Sequence, residues 1–407
     1  MRGAVKPGEA NWSLALWMAL GLNKLALFVY TLALGRLGGE GALGAHASLV
    51  TSAGLAGGLL HAGLPDWALY RAAGARAEGR DPPDALRTGH ALFLTSAAAA
   101  YAGVAACLPL LLPDPAHRAY GTAVVLGLFL AHLSAFALSS FRGRGEPRPE
   151  ALATFAAAVA LAAGALVATT PLQLGAAFVA SGTCLALPFA ASLRSGATRP
   201  QGAALTRGAA CVREALPYLA LGLGWQLLWA TDVLMTRATS GNAEVGLLAA
   251  AMLVLRGGLY GASLFGALLL HRVREGERAV RPLLLGLGPV LAGLAVAVAW
   301  AFHGLLAHHF SIPAGALRPV LAAGSLAAPV AYTATLWMPV AMGLAPARVT
   351  RALAAGVAVA LPLGVALRDQ GAVGGVVALC AGQGVLLALL GPLVLGRAAP
   401  QAPTPPG

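Results

Sequence analysis

The stretch from Trp12 to Leu64, WSLALWMALGLNKLALFVYTLALGRLGGEGALGAHASLVTSAGLAGGLLHAGL, is two apolar runs joined by the turn GRLGGEG at 35–41. A helix of roughly 20 apolar residues covers the ~30 Å hydrocarbon core of a bilayer, and each run has that length. Lipid offers the backbone no hydrogen bonds, so apolar segments of this kind cross as helices. The pair therefore reads as a transmembrane hairpin. Arg2 and Lys6 precede the run from Trp12 to Leu34, which is too long for a signal peptide and reads as an uncleaved first span.

The same pattern continues along all 407 residues: 58% are hydrophobic and only 10% charged, and the mean hydropathy is +0.76. Soluble chains are about one quarter charged, so the two or three globular domains that this length allows are excluded. An all-α polytopic membrane protein is expected. Polar, Gly/Pro and Arg clusters cut the chain into twelve spans, near 12–35, 42–64, 89–112, 118–141, 151–170, 172–193, 215–236, 245–270, 281–303, 317–343, 350–367 and 371–396. The Ala/Gly-rich pairs near 170 and 368 leave re-entrant hairpins as an alternative. With a cytoplasmic N-terminus, twenty of the 27 Lys and Arg fall on inner segments, five on outer ones (Arg36, Arg118, Arg237, Arg318, Arg368) and two, Lys24 and Arg256, within spans. Positive residues accumulate in cytoplasmic loops, and a wrong span count would scramble this alternation. Both termini are thus expected inside. The inner connections at 65–88 and 194–214 are long enough for short interfacial helices, whereas the outer ones are tight. Residues 398–407, Pro-rich, read as a disordered tail.

Six spans precede the basic connection at 194–214 and six follow it. The expected division is an N-lobe at 1–193, a cytoplasmic linker at 194–214 and a C-lobe at 215–397. The two halves open alike: span, Arg36, Gly39, Gly44, span, against span, Arg237, Gly241, Gly246, span, with an offset near 202. An even number of spans per half makes such a repeat parallel, a transporter plan with a central site between lobes.

The turn GRLGGEGALG at Gly35 to Gly44 resembles the short Arg-Leu-Gly, acidic, Gly turn of bacterial polysaccharide-biosynthesis flippases. These belong to the multidrug/oligosaccharidyl-lipid/polysaccharide exporter (MOP) superfamily. Leu216-Pro217, Asp232, Gly241, Val245-Gly246 and Ala249-Ala250-Ala251 fit the start of that family's second half. The chain departs at Leu248, where the family often has Tyr, at Leu253, where a basic residue is common, and at His271, in place of a Pro. It is also short for the family, through clipped loops. The resemblance implies the exporter fold and a lipid-linked oligosaccharide passenger.

Charges at the bilayer centre cost roughly 2.5–3.5 kcal/mol on insertion scales, which makes each a functional candidate. Lys24, with Asn23 beside it, lies near the midplane of the first span on a face with Trp17, Gly21, Phe28 and Thr31. Arg256 lies at similar depth in the eighth span, on a face with Met252, Tyr260 and Ser263. Ammonium and guanidinium groups hold phosphate oxygens through charge-assisted hydrogen bonds, so Lys24, Arg256, Asn23 and Tyr260 are the expected substrate-binding residues. Asp232 is the only carboxylate clearly inside a span; it reads as a salt-bridged residue, with Arg237 or Arg256 as partner, or as an ion-coupling site. A drug antiporter driven by carboxylates is expected to need more acids than this.

His46, His61, His90 and His132 read as packing residues or as the lining of a polar cavity. His303, His308 and His309 cluster without a carboxylate or Cys, so no metal is expected. Cys107, Cys184, Cys211 and Cys380 show no C-x-x-C spacing. Asn23, Gln226 and Gln383 are expected to bond between helices, and Tyr332 and Trp337 to pack. There is no nucleotide-binding loop, no catalytic constellation and no nucleic-acid surface, so neither a cofactor nor an enzyme activity is expected.

The function expected is movement of a polyprenyl-pyrophosphate-linked oligosaccharide across the bacterial inner membrane by alternating access, for O-antigen, capsule or exopolysaccharide synthesis. Its partners are that substrate, membrane lipids, and a polymerase and glycosyltransferases of the same pathway. The alternatives are a multidrug antiporter of the same superfamily, a peptidoglycan-precursor flippase, and a non-transporting scaffold of an envelope-polymer assembly complex.

Overall fold

The computed structural model describes residues 7–60, 63–79, 85–112, 114–194, 204–274 and 280–395, and every regular element among them is helical. In chain order the helices are α1 (Pro7–Leu60), α2 (Leu64–Ala77), α3 (Ala85–Ala106), α4 (Leu108–Leu111), α5 (Pro115–Leu133), α6 (Ala135–Arg144), α7 (Arg148–Val167), α8 (Pro171–Arg194), α9 (Ala204–Ser240), α10 (Asn242–Arg274), α11 (Val280–His309), α12 (Ala314–Leu344), α13 (Pro346–Ala366) and α14 (Gly371–Val394).

Ten helices among the described residues are long and apolar enough to cross a membrane. One of them is α1, whose 54 residues would measure about 80 Å if straight, far more than one crossing needs. It is broken at Gly39, where φ 64 and ψ −164 are open only to glycine, and so makes two crossings. Helix α9 falls outside the apolar set because Gln226, Thr231 and Asp232 dilute its hydropathy, yet its 37 residues exceed a crossing. With both arms of α1 and with α9, the twelve expected spans are all present as helices. The pairs near 170 and 368 are full-length helices of 20, 24, 21 and 24 residues, not re-entrant hairpins. Large apolar side chains such as Leu110, Leu166, Val290, Leu294 and Leu326 stand exposed on the helices, as lipid-facing residues do.

A short helix is present in the connection at 65–88, where one is expected: α2, of 14 residues. It packs Leu64, Trp67, Ala68 and Ala72 against Leu86, Phe93, Phe136 and Cys211. The other inner connection differs from expectation: from Ala204 it is continuous with α9, since 204–215 carries mostly helix formers and no proline. Residues 195–203, His61 and the Pro-rich tail lie outside the described residues.

The chain divides into two compact units. The first runs to Gln226 and includes 240–250 and 308–312; the second comprises Leu227–Thr239, Ala251–Ala307 and the chain from Pro313 on. In the first, α1 packs on α7, α5 on α8, and α7 on α8; in the second, α12 and α13 both pack on α14.

Two pairs of residues 202 positions apart carry the internal repeat into three dimensions. Gly39 and Gly241 both have positive φ, 64 and 87 degrees, so a glycine-favouring backbone conformation stands at each of the two corresponding turns. Gly44 and Gly246 meet in the first unit. A Cβ on Gly44 would lie 1.7 Å from the Asn242 carbonyl oxygen, and one on Gly246 would lie 1.9 Å from that of Glu40. Residue 40 faces 246 as 242 faces 44, the reciprocal pattern of a two-fold contact.

Candidate functional site

Asp232 lies on α9 and Arg256 on α10, both in the second unit. At 1.5 Å per residue, Arg256 is about 20 Å from the start of its helix, so its own backbone leaves it deep in the membrane. Its guanidinium Nη2 donates to Asp232 Oδ2 in an ion pair, while Asp232 Oδ1 accepts from the Val233 N–H at 2.8 Å. The carboxylate is 0% exposed and the guanidinium side chain 32%. Each group answers the other's desolvation, because either alone would be an uncompensated charge in a low-dielectric surround. The sequence left Arg237 and Arg256 open as partners, and the structure places Arg256 on the carboxylate. Arg256 is therefore not a bare cation: Nη2 is committed to the carboxylate, while part of the side chain remains exposed.

The same unit holds polar atoms without partners. Arg256 Nε and Thr236 Oγ1 are buried and unbonded, and Gln383, fully buried on α14, bonds through neither amide atom. The interhelical bond expected of Gln383 is thus not made to any protein group. Gly375 of α14 packs against the backbone of Asp232 and the Thr236 hydroxyl, which fixes α14 close to the pair. Tyr332 donates to the Leu255 carbonyl at 2.7 Å and Trp337 to that of Leu284 at 2.8 Å, so both are packing residues.

In the first unit, Lys24 and Asn23 are half-buried on the first arm of α1, beside Trp17, Leu25 and Gly21, which are exposed. Tyr260 is helical in α10, and its side chain lies outside the described residues. Of the expected site residues, the structure brings Asp232 and Arg256 into contact.

Two hydrogen-bonded clusters were not foreseen. Tyr30 OH and Tyr120 OH are 2.8 Å apart, and Tyr120 OH is 2.8 Å from His46 Nδ1, so both arms of α1 are tied to α5. Tyr101 OH is 2.6 Å from His132 Nδ1. His90 stacks on Phe136. These histidines are built into the helix packing, and their partners are too far away in sequence for any spacing rule to find. In the outer cluster His303 bonds the Trp300 carbonyl and His309 that of Leu32, and no group of three metal-binding side chains occurs among the described residues.

Near the start of α9, Glu214 accepts from Trp67 Nε1 at 3.0 Å and pairs with Arg71. Those bonds, Arg71 first, hold its carboxyl below the usual range. Arg142 pairs with buried Glu150, whose hydrogen bond pushes the guanidinium value up; burial raises Asp66, partly offset by Arg142. Helix α2 is thus fastened to α9, while Arg142 at the end of α6 is tied to the start of α7.

No protein-family model matches the chain, and no curated protein matches it in sequence. Solved structures do match. The lipid II flippase MurJ in an inward closed conformation fits with a TM-score of 0.69 at 11% identity, over 94% of this chain and 87% of its own. The eukaryotic MATE transporter AtDTX14 fits at 0.64 and 14%, over 95% and 96%. A MOP-superfamily transporter from Pyrococcus furiosus, described as having a binding pocket of reverse polarity, fits at 0.60 and 13%, over 96% and 94%. The chain has the MOP-superfamily transporter fold. At these identities the likeness is one of fold, and the MOP fold alone does not choose a cargo.

Proposed function

We propose that the protein carries a polyprenyl-pyrophosphate-linked oligosaccharide across the bacterial inner membrane by alternating access, for polysaccharide assembly. The observation that carries this reading is the Asp232–Arg256 ion pair. Asp232, well inside α9, is fully buried and paired with Arg256. Lys24 and Arg256 together exceed it by one positive charge, so the deep charge of the chain favours an anion. A carboxylate-driven drug antiporter requires an acid free to exchange its cation, and this one is occupied. A diphosphate needs what Arg256 offers: a donor of fixed positive charge where low dielectric strengthens the attraction. With both termini cytoplasmic, the headgroup enters from the side on which it is made, and the polyprenyl chain stays in lipid.

The fold likeness to a lipid II flippase favours, as a second reading, a peptidoglycan precursor as passenger. The same diphosphate chemistry serves both. Proteoliposomes loaded with a fluorescent polyprenyl-diphosphate oligosaccharide test the reading. Flux is expected to fall tenfold or more in Lys24→Ala and in Arg256→Ala. Unchanged flux in the double variant removes the diphosphate role from these residues.

A further inference from the structure

We infer that Asp232 is an internal rival of the passenger's diphosphate, and that loading the carrier moves a proton onto it. This rests on the anionic-passenger reading above and adds the coupling step. The geometry points to it in three ways. The Asp232 carboxylate is fully buried and pairs with Arg256, whose side chain is the less buried partner at 32% exposure. The group a passenger can reach is therefore the same group that neutralises the carboxylate. Arg256 Nε, on the buried side, has no acceptor, so the guanidinium is under-bonded where it sits and gains contacts by turning toward a multidentate anion. Asp232 keeps one bond of its own, from the Val233 N–H, whatever Arg256 does.

Among the described residues, the other cations on the elements around Asp232 are Arg237, five positions further along α9 toward its end, and Arg368 just before α14, which pairs with Asp369 at 3.7 Å. On α9 the neighbour is the Thr236 hydroxyl, and α14 packs Gly375 against Asp232 and holds no ionisable side chain apart from Cys380. Helix α13 packs Gly364 on Met235 and carries Arg348 and Arg351 only in its first turns. On α12 the ionisable groups are Arg318 near its start and Tyr332, which bonds the Leu255 carbonyl. A carboxylate left behind in this surround is an uncompensated buried charge, and it neutralises by taking a proton. The step balances: the ion pair, a dianionic diphosphate and one proton from water give a guanidinium–diphosphate pair and a neutral Asp232. The passenger's negative charge is thus partly cancelled by co-bound protons, and release reverses the sequence.

The test uses the full-length protein in detergent with geranylgeranyl diphosphate as probe, its affinity measured by calorimetry from about pH 6 to 9. The ligand's own ionisation is common to wild type and Asp232→Asn and cancels in their difference. Wild type is expected to lose affinity relative to Asp232→Asn by up to tenfold per pH unit, the slope of one linked proton. At pH 8 the variant is expected to bind at least tenfold more tightly. Wild type alone provides a second readout that survives misfolding of the variant: binding heats in two buffers of different ionisation enthalpy must show proton uptake above that of the ligand. Binding that depends on Arg256 without that uptake, or an equal pH slope in both proteins, overturns the inference and leaves the function standing. Binding that ignores Arg256→Ala, or is absent at every pH, overturns both.

Discussion

Gly44→Ala is predicted to destabilise the first unit by forcing apart two helix starts that touch through their backbones. The added methyl group would sit 1.7 Å from the Asn242 carbonyl oxygen and 2.9 Å from the Gly246 nitrogen. An ordinary carbon–oxygen contact is about 3.4 Å, so the segments must part by roughly 1.7 Å. Neither obstacle is a flexible side chain that can turn away. Overpacking of this kind costs about 1–3 kcal/mol, a factor of roughly 5–150 in the equilibrium. Gly246→Ala meets the Glu40 carbonyl at 1.9 Å and carries a similar penalty. Because one separation relieves both clashes, the double variant is predicted to lose little more than either single one, with a coupling of about 1 kcal/mol or more in a double-mutant cycle. Thermal unfolding in detergent of wild type, the two single variants and the double variant measures this. Gly54→Ala is the control, since nothing lies within 4 Å of its added Cβ, and helix propensity predicts a gain of up to ~1 kcal/mol there. If the single variants match that control, or if their losses add in full, the reciprocal contact does not hold the segments as argued.

Three further outcomes follow from the clusters. Tyr120→Phe removes the hydroxyl that links Tyr30 to His46; at about 0.5–1.5 kcal/mol per bond it is predicted to cost ~1–3 kcal/mol in thermal unfolding, and Tyr30→Phe about half as much. Glu150→Ala leaves Arg142 without its buried partner; with Arg142 itself partly exposed, a loss of ~1–3 kcal/mol is expected, and Glu150→Gln is predicted to recover part of it. Glu214 has a folded-state carboxyl value held below its ordinary one, so its contribution is present above the ordinary value and disappears as pH falls through the depressed one. Both Glu214 and Arg71 are substantially exposed, which limits the effect to under ~1 kcal/mol; melting curves from about pH 3 to 7 are predicted to be flatter in Glu214→Gln than in wild type.

Most of the fold was legible because lipid leaves so few options. An apolar run of sufficient length must be a helix, and Arg placement separates inner from outer connections, so the spans match α1, α3 and α5 through α14 closely. The turn at Gly39 was legible as glycine-rich polar punctuation, and its counterpart at Gly241 as an echo 202 positions later. What the echo could not reveal is that Gly44 and Gly246 touch. Glycine is abundant here, and composition does not say which of 52 glycines brings two backbones together. The continuity of α9 through the expected linker helix was missed for a related reason: charged residues mark where a chain leaves the bilayer, but a helix need not end there.

The candidate site was legible as residues and not as a pair. Depth along a helix follows from counting, which is enough to set Lys24, Asp232 and Arg256 in the membrane. Pairing depends on helix rotation and on side-chain reach, and an arginine spans more than one helical turn along its neighbour. Arg237, near in sequence and toward the outer end, and Arg256, on the next helix, were therefore equivalent partners on paper. Energetics separates them. A fully buried carboxylate has to be answered where it lies, and the guanidinium that does so at Asp232 is the one whose backbone is itself deep in the membrane. A cation that the bilayer accepts because an acid neutralises it is not thereby lost to a ligand, since any anion that binds it more strongly than the acid does takes the acid's place. On the proposed reading, the affinity for a diphosphate is then a difference between two anions for one guanidinium, and Asp232 sets it as much as Arg256.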